Sequence, residues 1–174
     1  MNAILNFVNE ASYKEHAEYL NNLKLKYSIL KKSESRLSGL ELFEIDRHRE
    51  IRREIRREAL ELLSEIKVHE IYFSSFGERG GKCPLLKEKY GSESSFLYEM
   101  LKKSVNFGDG FCYVYKVCGE VYFNCAKSPC DIFCTCEPLV CIDLCEHAYF
   151  RDYGFKREEY LKRAFFYLNL SRIL

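Results

Sequence analysis

The stretch CIDLCEHAYFRDY, residues 141–153, carries more candidate metal ligands than a structural turn requires. Asp143 and His147 stand four residues apart, and Glu146 lies beside the histidine. Imidazole nitrogens and carboxylate oxygens are donors that iron and manganese accept in proteins. The segment is therefore a candidate for one part of a metal site, which a histidine from elsewhere in the chain, such as His69, could complete as a set of two His and one carboxylate.

The first half of the chain predicts a helical hairpin. Gly and Pro are scarce before Gly77, and apolar residues recur at steps of three and four. We expect a first helix over about residues 2–31, a turn at 31–39, and a second helix from about residue 40 to 73. On the second helix His69 shares a stripe with Ile66 and Phe73, which predicts that it faces inward, either as a core histidine or as a ligand.

The second half changes character after Gly77. Residues 85–105 read as one or two short helices, and residues 111–117 and 120–126 read as strands joined by Cys118 and Gly119, a hairpin signal. Residues 133–143 can add a third strand, and the last residues, 156–174, are helical. The prediction is an α+β fold: a helical hairpin half, residues 1–76, followed by a half, residues 77–174, with a small three-stranded antiparallel sheet and C-terminal helices.

Composition excludes several classes of partner. Lys and Arg number 27 against 26 Asp and Glu, a net charge of +1 that provides no field for nucleic acid. The basic run at 47–58 is interleaved with Glu and predicts a solvated, ion-paired face.

No apolar run is long enough to span a membrane and no secretory signal is present, so we expect a cytoplasmic protein. Its nine cysteines, an odd number, are expected to stay thiols.

Three segments carry a resemblance to a known family. DLCEHAYFRDYGFKREEYL, residues 143–161, resembles the C-terminal signature of the iron and manganese superoxide dismutases, Asp-x-Trp-Glu-His-Ala-Tyr followed by Tyr, Arg and Tyr. HAEYLNNL, residues 16–23, is similar to the family's His-x-x-Tyr-x-Asn-Asn-Leu, and VHEIYF, residues 68–73, resembles its Asn-His-x-x-x-Trp segment. The resemblance implies one iron or manganese ion per chain, held by three His and one Asp.

By position, the resemblance assigns His69, Asp143 and His147 as metal ligands. It implies that Tyr19 gates the approach to the metal and relays protons. It also implies a homodimer in which Glu146 bridges to the partner's His147, and superoxide as the substrate.

Several positions depart from the family pattern. The spacing from Tyr19 places the first-helix ligand at Ala11, which cannot bind a metal, and His16, five residues further on, is turned about 140 degrees away on an ideal helix. Glu15 lies one turn after Ala11 and is a candidate replacement ligand, although an exposed or ion-paired Glu15 is the simpler interpretation.

Other departures affect the surroundings of the metal. Glu65 stands where the iron enzymes have a Gln that bonds the metal-bound solvent, so it is expected to tune the site or to become a ligand itself. Cys145 and Phe73 replace the two Trp of the pattern, and Cys145 is a candidate thiolate ligand.

Two classes of function follow. The first is a superoxide dismutase, which converts superoxide to hydrogen peroxide and dioxygen at a mononuclear metal. The alternative is a family member without dismutase activity that acts as a metal-binding or structural protein. A zinc or thiol protein built on the cysteine-rich region, with eight cysteines between Cys112 and Cys145, is a third candidate, although the spacing fits a zinc site only loosely.

Overall fold

A computed structural model describes residues 3–38, 45–77 and 83–173 of the chain. A 3₁₀ turn, Ala3–Asn6, precedes helix α1, Glu10–Ser38, and helix α2, Ile45–Ser74. Helix α1 begins later than predicted because Asn9 caps it: the Asn9 Oδ1 accepts a hydrogen bond from the Ser12 amide at 2.8 Å.

The turn predicted at residues 31–39 is wrong for residues 31–38, which are helical, while residues 39–44 lie outside the described part of the chain. The segment contains neither Gly nor Pro before residue 39, and Lys31 pairs with Glu34 one turn on, at 2.5 Å. Glu34 also accepts a hydrogen bond from Arg56 of α2 at 2.9 Å, so the basic run contacts the facing helix.

Two helices follow, in agreement with the prediction of one or two short helices over residues 85–105. Helix α3, Pro84–Tyr90, ends at Gly91, which has a φ of 76°, and helix α4, Glu93–Phe107, begins at Ser92, whose side chain accepts from the Ser95 amide. The Gly-Ser pair separates the helices because Gly takes the left-handed conformation readily and Ser is a favoured N-cap.

The sheet has three antiparallel strands in the order β2-β1-β3. Strands β1, Phe111–Val117, and β2, Glu120–Ala126, have the predicted bounds. Cys118 and Gly119 join them with positive φ angles of 50° and 81°, the two-residue turn whose twist suits a hairpin.

The third strand is shorter than predicted. Strand β3 is Val140–Asp143, while the first residues of the predicted strand, 133–135, belong to helix α5, Pro129–Thr135. Pro129 opens this helix and the Ser128 side chain caps it, so local helix signals outweigh the β-propensity of the cysteine-rich segment.

Helices α6, Phe150–Tyr153, and α7, Arg157–Phe166, and a 3₁₀ turn, Leu170–Ile173, close the chain. The α+β fold is thus confirmed. The main core lies between the sheet and helices α4 and α7 and includes Phe96, Met100, Val114, Ile142 and Tyr160. Helix α2 packs on both α1 and β3, which brings the hairpin against the end of the sheet.

The boundary proposed between residues 76 and 77 stays a prediction. Backbone contacts do cross it: the Asn169 amide donates to the Ser75 carbonyl at 2.8 Å, and Phe76 forms an isolated bridge with Leu168. Among the described residues, no helix is long and apolar enough to cross a membrane.

Candidate metal centre

Four side chains from both halves of the chain converge where α1, α2 and the end of β3 meet. They are His16, His69, Asp143 and His147, and one potential ligand atom from each lies within 4.8 Å of all the others. The Asp143 Oδ2 is 2.8 Å from the Nε2 of His147, 3.4 Å from that of His16 and 3.5 Å from that of His69.

The arrangement fits a metal ion better than a hydrogen-bonded cluster. The Asp143 Oδ2 and the His16 Nε2 are fully buried, yet within the described ranges neither has a partner with hydrogen-bond geometry. Orphaned buried polar atoms are costly. Nitrogen and oxygen ligands lie about 2.1 Å from a divalent metal, so neighbouring ligand atoms are roughly 3.0 to 3.6 Å apart. The separations of the Asp143 Oδ2 from the nitrogens of His16 and His69 fall in that interval and that from His147 is shorter, so these residues could hold one cation.

Helix α2 fixes the orientation of His69. The side chain is fully buried, and its Nδ1 lies 2.8 Å from the backbone carbonyl of Glu65, one turn earlier. Because a carbonyl oxygen only accepts, Nδ1 carries the proton and the lone pair of Nε2 faces the cluster. Such an outer contact orients a metal-binding histidine and raises its basicity.

Backbone contacts at the end of β3 fix Asp143 in the same way. The Cys145 amide donates to the Asp143 Oδ1 at 2.8 Å, which leaves Oδ2 for the cluster, and the Tyr160 hydroxyl donates to the Asp143 carbonyl at 2.9 Å. Burial favours the neutral acid, but the facing imidazoles of His147, His16 and His69 hold the pKa of Asp143 well below its ordinary value. The carboxylate is therefore ionised and ready to bind a cation.

The structure corrects the sequence prediction for α1. His16 is 5% exposed, and its ring centroid is 5.1 Å from that of His69 and 4.8 Å from that of His147, whereas Ala11 is exposed. Burial lowers the pKa of His16, against the opposing effect of Asp143, which favours the neutral imidazole that a metal requires. The first helix does supply an imidazole, from a position that family spacing did not indicate.

A signal for His16 was present in the sequence. Ser12, His16, Leu20 and Leu23 follow steps of four, four and three, and all four are buried. Family spacing counted back from Tyr19, but Tyr19 lies on the edge of this stripe and is 38% exposed. The buried stripe was therefore the better guide to the inward face of α1.

Glu15 does not join the cluster. Its exposed carboxylate accepts a hydrogen bond from Arg151, so the simpler of the two interpretations describes its place in the structure. Together with His16, Tyr19, His147 and Phe150 it lines a cavity of about 310 Å³ that leads from solvent to the ligand cluster.

Tyr19 and Glu65 lie together beside the cluster. The Tyr19 ring centroid is 5.3 Å from that of His69 and 5.1 Å from that of His147, and its hydroxyl is 3.5 Å from the Glu65 Oε1. Burial, then the charge of Glu65, raises the pKa of Tyr19 to about 12. Burial also raises the pKa of Glu65, partly offset by His69. The pair can hold and exchange a proton next to the ligands.

Aromatic rings form the apolar wall of the site. Phe73 and Tyr72 each lie 5.0 Å from the His16 ring, and Phe111 lies 5.6 Å from the His69 ring. Cys145 does not reach the ligand cluster, because its Sγ is bonded to the Gly110 carbonyl at 3.7 Å. Burial raises the pKa of the Cys145 thiol, so it remains protonated.

His147 and Glu146 stand at the open side of the centre. The His147 side chain is 37% exposed, and Glu146 is exposed. Burial lowers the pKa of His147, but the nearby Asp143 outweighs it and raises the pKa overall. The contacts of His147 with Asp143 and with His69 are both made by its Nε2.

Comparison with protein families identifies one that covers a little over half of the chain. Residues 83–173 match the family described as iron/manganese superoxide dismutases, C-terminal domain. The chain belongs to the iron/manganese superoxide dismutase family. A search of curated proteins gives no match. Asp143 and His147 lie inside the matched region, while His16 and His69 lie before it, so the fold brings residues from within and outside the matched region into one cluster.

The cysteines do not form a second metal site. All nine are free, and all lie in the described part of the chain. Apart from the four-residue cluster, no group of three or more His, Cys, Asp or Glu ligand atoms converges among the described residues. A zinc protein built on the cysteine-rich region therefore has no support in the structure.

Proposed function

We propose that this chain is a superoxide dismutase with one iron or manganese ion held by His16, His69, Asp143 and His147. The observation that carries the proposal is the convergence of three imidazole nitrogens on one buried, ionised carboxylate. Iron or manganese supplies one-electron chemistry, so that one superoxide is oxidised to dioxygen and another is reduced to hydrogen peroxide. The choice between the two metals rests on outer contacts such as that of Glu65.

The residues around the ligands have separable roles in this proposal. The cavity between α1 and the His147 segment admits a small anion, and the walls formed by Tyr72, Phe73 and Phe111 exclude bulk water. Reduction of superoxide to hydrogen peroxide consumes two protons. Tyr19 has a pKa of about 12 and therefore keeps its proton at neutral pH, and Glu65 lies at the next position from which that proton can be replaced.

We also propose a homodimer. The exposed Glu146 and the Nδ1 of His147, the ring nitrogen that does not face Asp143, suit the bridge in which Glu146 reaches the partner's His147. The ring centroids of Phe150 and Phe155 lie 5.4 Å apart beside this site, and the two residues are 44% and 95% exposed. They form an apolar surface that a second chain would cover. For location, nine free thiols fit a reducing compartment, and we propose the cytoplasm.

A metal-binding protein without dismutase turnover is the second candidate. Glu65 favours it, because an ionisable carboxyl lies 3.8 Å from the Nδ1 of His69, where the resemblance implies a neutral amide. A carboxyl that changes charge next to the ligands would shift the metal potential away from the value that both half-reactions need.

The test combines metal analysis with a superoxide assay. The purified protein is expected to hold iron or manganese and to accelerate superoxide decay. Asp143→Asn, which retains an oxygen for the Cys145 amide, should lose both properties, and the exposed Asp131→Asn should keep both. Metal without superoxide decay would favour the second candidate. A protein that binds neither metal after reconstitution would remove both.

A further inference from the structure

Cys112 and Cys125 form a buried pair of thiols across strands β1 and β2. They are directly opposed in the antiparallel register. Cys112 is fully buried, and Cys125 is 8% exposed on the edge strand of the sheet. Neither belongs to the metal centre, and none of the roles described above uses them.

The register gives this pair the geometry of a disulfide. The two-residue turn closes the hairpin with the hydrogen-bonded pair Val117 and Glu120, and the alternation of the ladder makes Cys112 and Cys125 a non-hydrogen-bonded pair. The Cys125 amide agrees with this, because it donates to the Asn124 side chain at 2.9 Å. Such pairs have a Cα separation of about 4.5 Å, and disulfides span about 4.4 to 6.8 Å.

Polar groups beside the pair would stabilise a thiolate on Cys125. Ser104 is fully buried on α4, and its hydroxyl has no hydrogen bond of good geometry to any described residue, although it lies beside both thiols. The charges of Lys103 and Arg157 also act on Cys125. The Arg157 Nε is itself buried without a partner in the described part of the chain. A thiolate on Cys125 would accept a hydrogen bond from the Ser104 hydroxyl, which otherwise has no partner among the described residues.

The two thiols differ in their readiness to ionise. A hydrogen bond from Cys112 is the largest cause that lowers the pKa of Cys125, followed, against burial, by Lys103, Ser104 and Arg157. The same contact, with burial, raises the pKa of Cys112 well above its ordinary value. Cys125 therefore acts as the nucleophile and Cys112 as the thiol that resolves the product.

We infer that Cys112 and Cys125 form a reversible disulfide when hydrogen peroxide oxidises Cys125. The Cys125 thiolate attacks one peroxide oxygen, the O–O bond breaks, and the released hydroxide takes a proton to become water. The Cys112 sulfur then attacks the sulfenic acid, the S–O bond breaks, and the second water carries the proton of Cys112. Two thiols lose two electrons in total, and one peroxide gains them.

Hydrogen peroxide is also the product of the proposed dismutation, and Phe111, next to Cys112, pairs with the ligand Asp143 in the sheet. Formation of a disulfide between β1 and β2 would then respond to hydrogen peroxide that is produced at the metal centre. The inference does not depend on dismutation, however, because any source of hydrogen peroxide drives the same chemistry.

The experiment uses the full chain, reduced and then freed of reductant. Hydrogen peroxide is added for a fixed time and removed with catalase, and the remaining thiols are alkylated under denaturing conditions. Trypsin separates the two cysteines into peptides 104–116 and 117–127, so the disulfide appears as a linked pair of peptides that dithiothreitol splits. The second peptide also contains Cys118, which the exposed-site variant Cys118→Ser removes without loss of the link.

The expected result is loss of two of the nine thiols and a link between positions 112 and 125. Cys125→Ser should abolish the link, and Ser104→Ala should slow its formation by about fivefold, the rate equivalent of one hydrogen bond. Ser94→Ala, exposed on the same helix, should not slow it. Because the wild-type peptides report the link directly, folding defects in a variant do not obscure the result. Full alkylation of both cysteines while other thiols oxidise would overturn the inference.

Discussion

At the scale of single residues, the decisive position is His16. It faces the same carboxylate oxygen as His69 and His147, while Ala11, five residues earlier at the start of α1, is exposed. In the proposed centre, removal of one of four ligands should lower the metal affinity by more than the tenfold to hundredfold that is lost with an outer contact. The proposed four-ligand set therefore depends on His16.

His16→Ala is expected to lower the iron or manganese content after reconstitution by at least tenfold, measured by elemental analysis at a fixed free-metal concentration. Ala11→His provides the matched control, because the new imidazole would lie in solvent and should leave metal content unchanged. Glu15→Ala should also leave it unchanged, since that carboxylate pairs with Arg151. Recovery of metal in a double variant, His16→Ala with Ala11→His, would instead support the family spacing.

At the scale of elements, the hairpin is held by charged contacts between α1 and α2. Lys31 and then Arg56 lower the pKa of the Glu34 carboxyl below its ordinary value of 4.5. A carboxyl whose folded pKa is depressed stabilises the fold above its unfolded pKa and loses that contribution as the pH falls through the folded value. The contribution of Glu34 should therefore be present at neutral pH and absent in acid.

Glu34→Gln is expected to lower the melting temperature slightly at pH 7, and the difference from wild type should disappear as the pH falls below about 4.5. Because the two cationic partners of Glu34, Lys31 and Arg56, are exposed, high salt should also reduce the difference. Glu61→Gln, an exposed position on α2, is the control and should show neither effect. A difference that grows in acid would contradict the sign of this argument.

The start of β1 requires a glycine, because both the backbone conformation and the space at position 110 exclude a larger residue. Gly110 has a φ of 134°, and a Cβ at this position would collide with the Ala126 carbonyl. Its own carbonyl accepts a hydrogen bond from the Leu144 amide at 2.9 Å, directly after Asp143. Any shift of Gly110 should therefore move the end of β3 that carries Asp143, the proposed metal ligand.

Gly110→Ala is expected to destabilise the protein by more than Gly119→Ala. Both positions have positive φ, which costs an L-residue about 1 to 2 kcal/mol, but Gly119 faces open space. The collision at Gly110 should add about 1 to 3 kcal/mol. Denaturant midpoints measure the difference, and metal content should fall for Gly110→Ala alone. Equal midpoints would show that the collision is relieved without cost.

Most of the elements and three of the four clustered residues were predicted from the sequence, whereas His16 was not. Strands β1 and β2 were predicted at their observed bounds because a two-residue turn and alternating residues define a hairpin. His69, Asp143 and His147 were predicted from the resemblance, but His16 was left as either a core or a surface residue and was rejected as a ligand because it lies five residues from the position that family spacing assigns. The buried stripe of α1 was the better guide, because packing against α2, and not the spacing from Tyr19, decides which face of the helix points inward.

At the scale of the whole molecule, the centre lies against a surface that one chain leaves open. Glu146 is exposed beside His147, whose Nε2 faces Asp143 and whose Nδ1 does not. A carboxylate from a second copy at that nitrogen would orient the ring, as outer contacts do for metal-binding histidines. A two-fold axis would make the bridge twice, so one interface would support both centres.

Glu146→Ala is therefore expected to shift the protein from dimer toward monomer at micromolar concentration, measured by light scattering, and to lower metal content several-fold in the same samples. Glu99→Ala, an exposed position on α4, is the matched control and should change neither. If the bridge orients His147, metal loss should follow dissociation and be reduced at high protein concentration, where the dimer reforms. An unchanged dimer with full metal would show that Glu146 does not cross an interface, and a monomeric wild type would remove the bridge altogether.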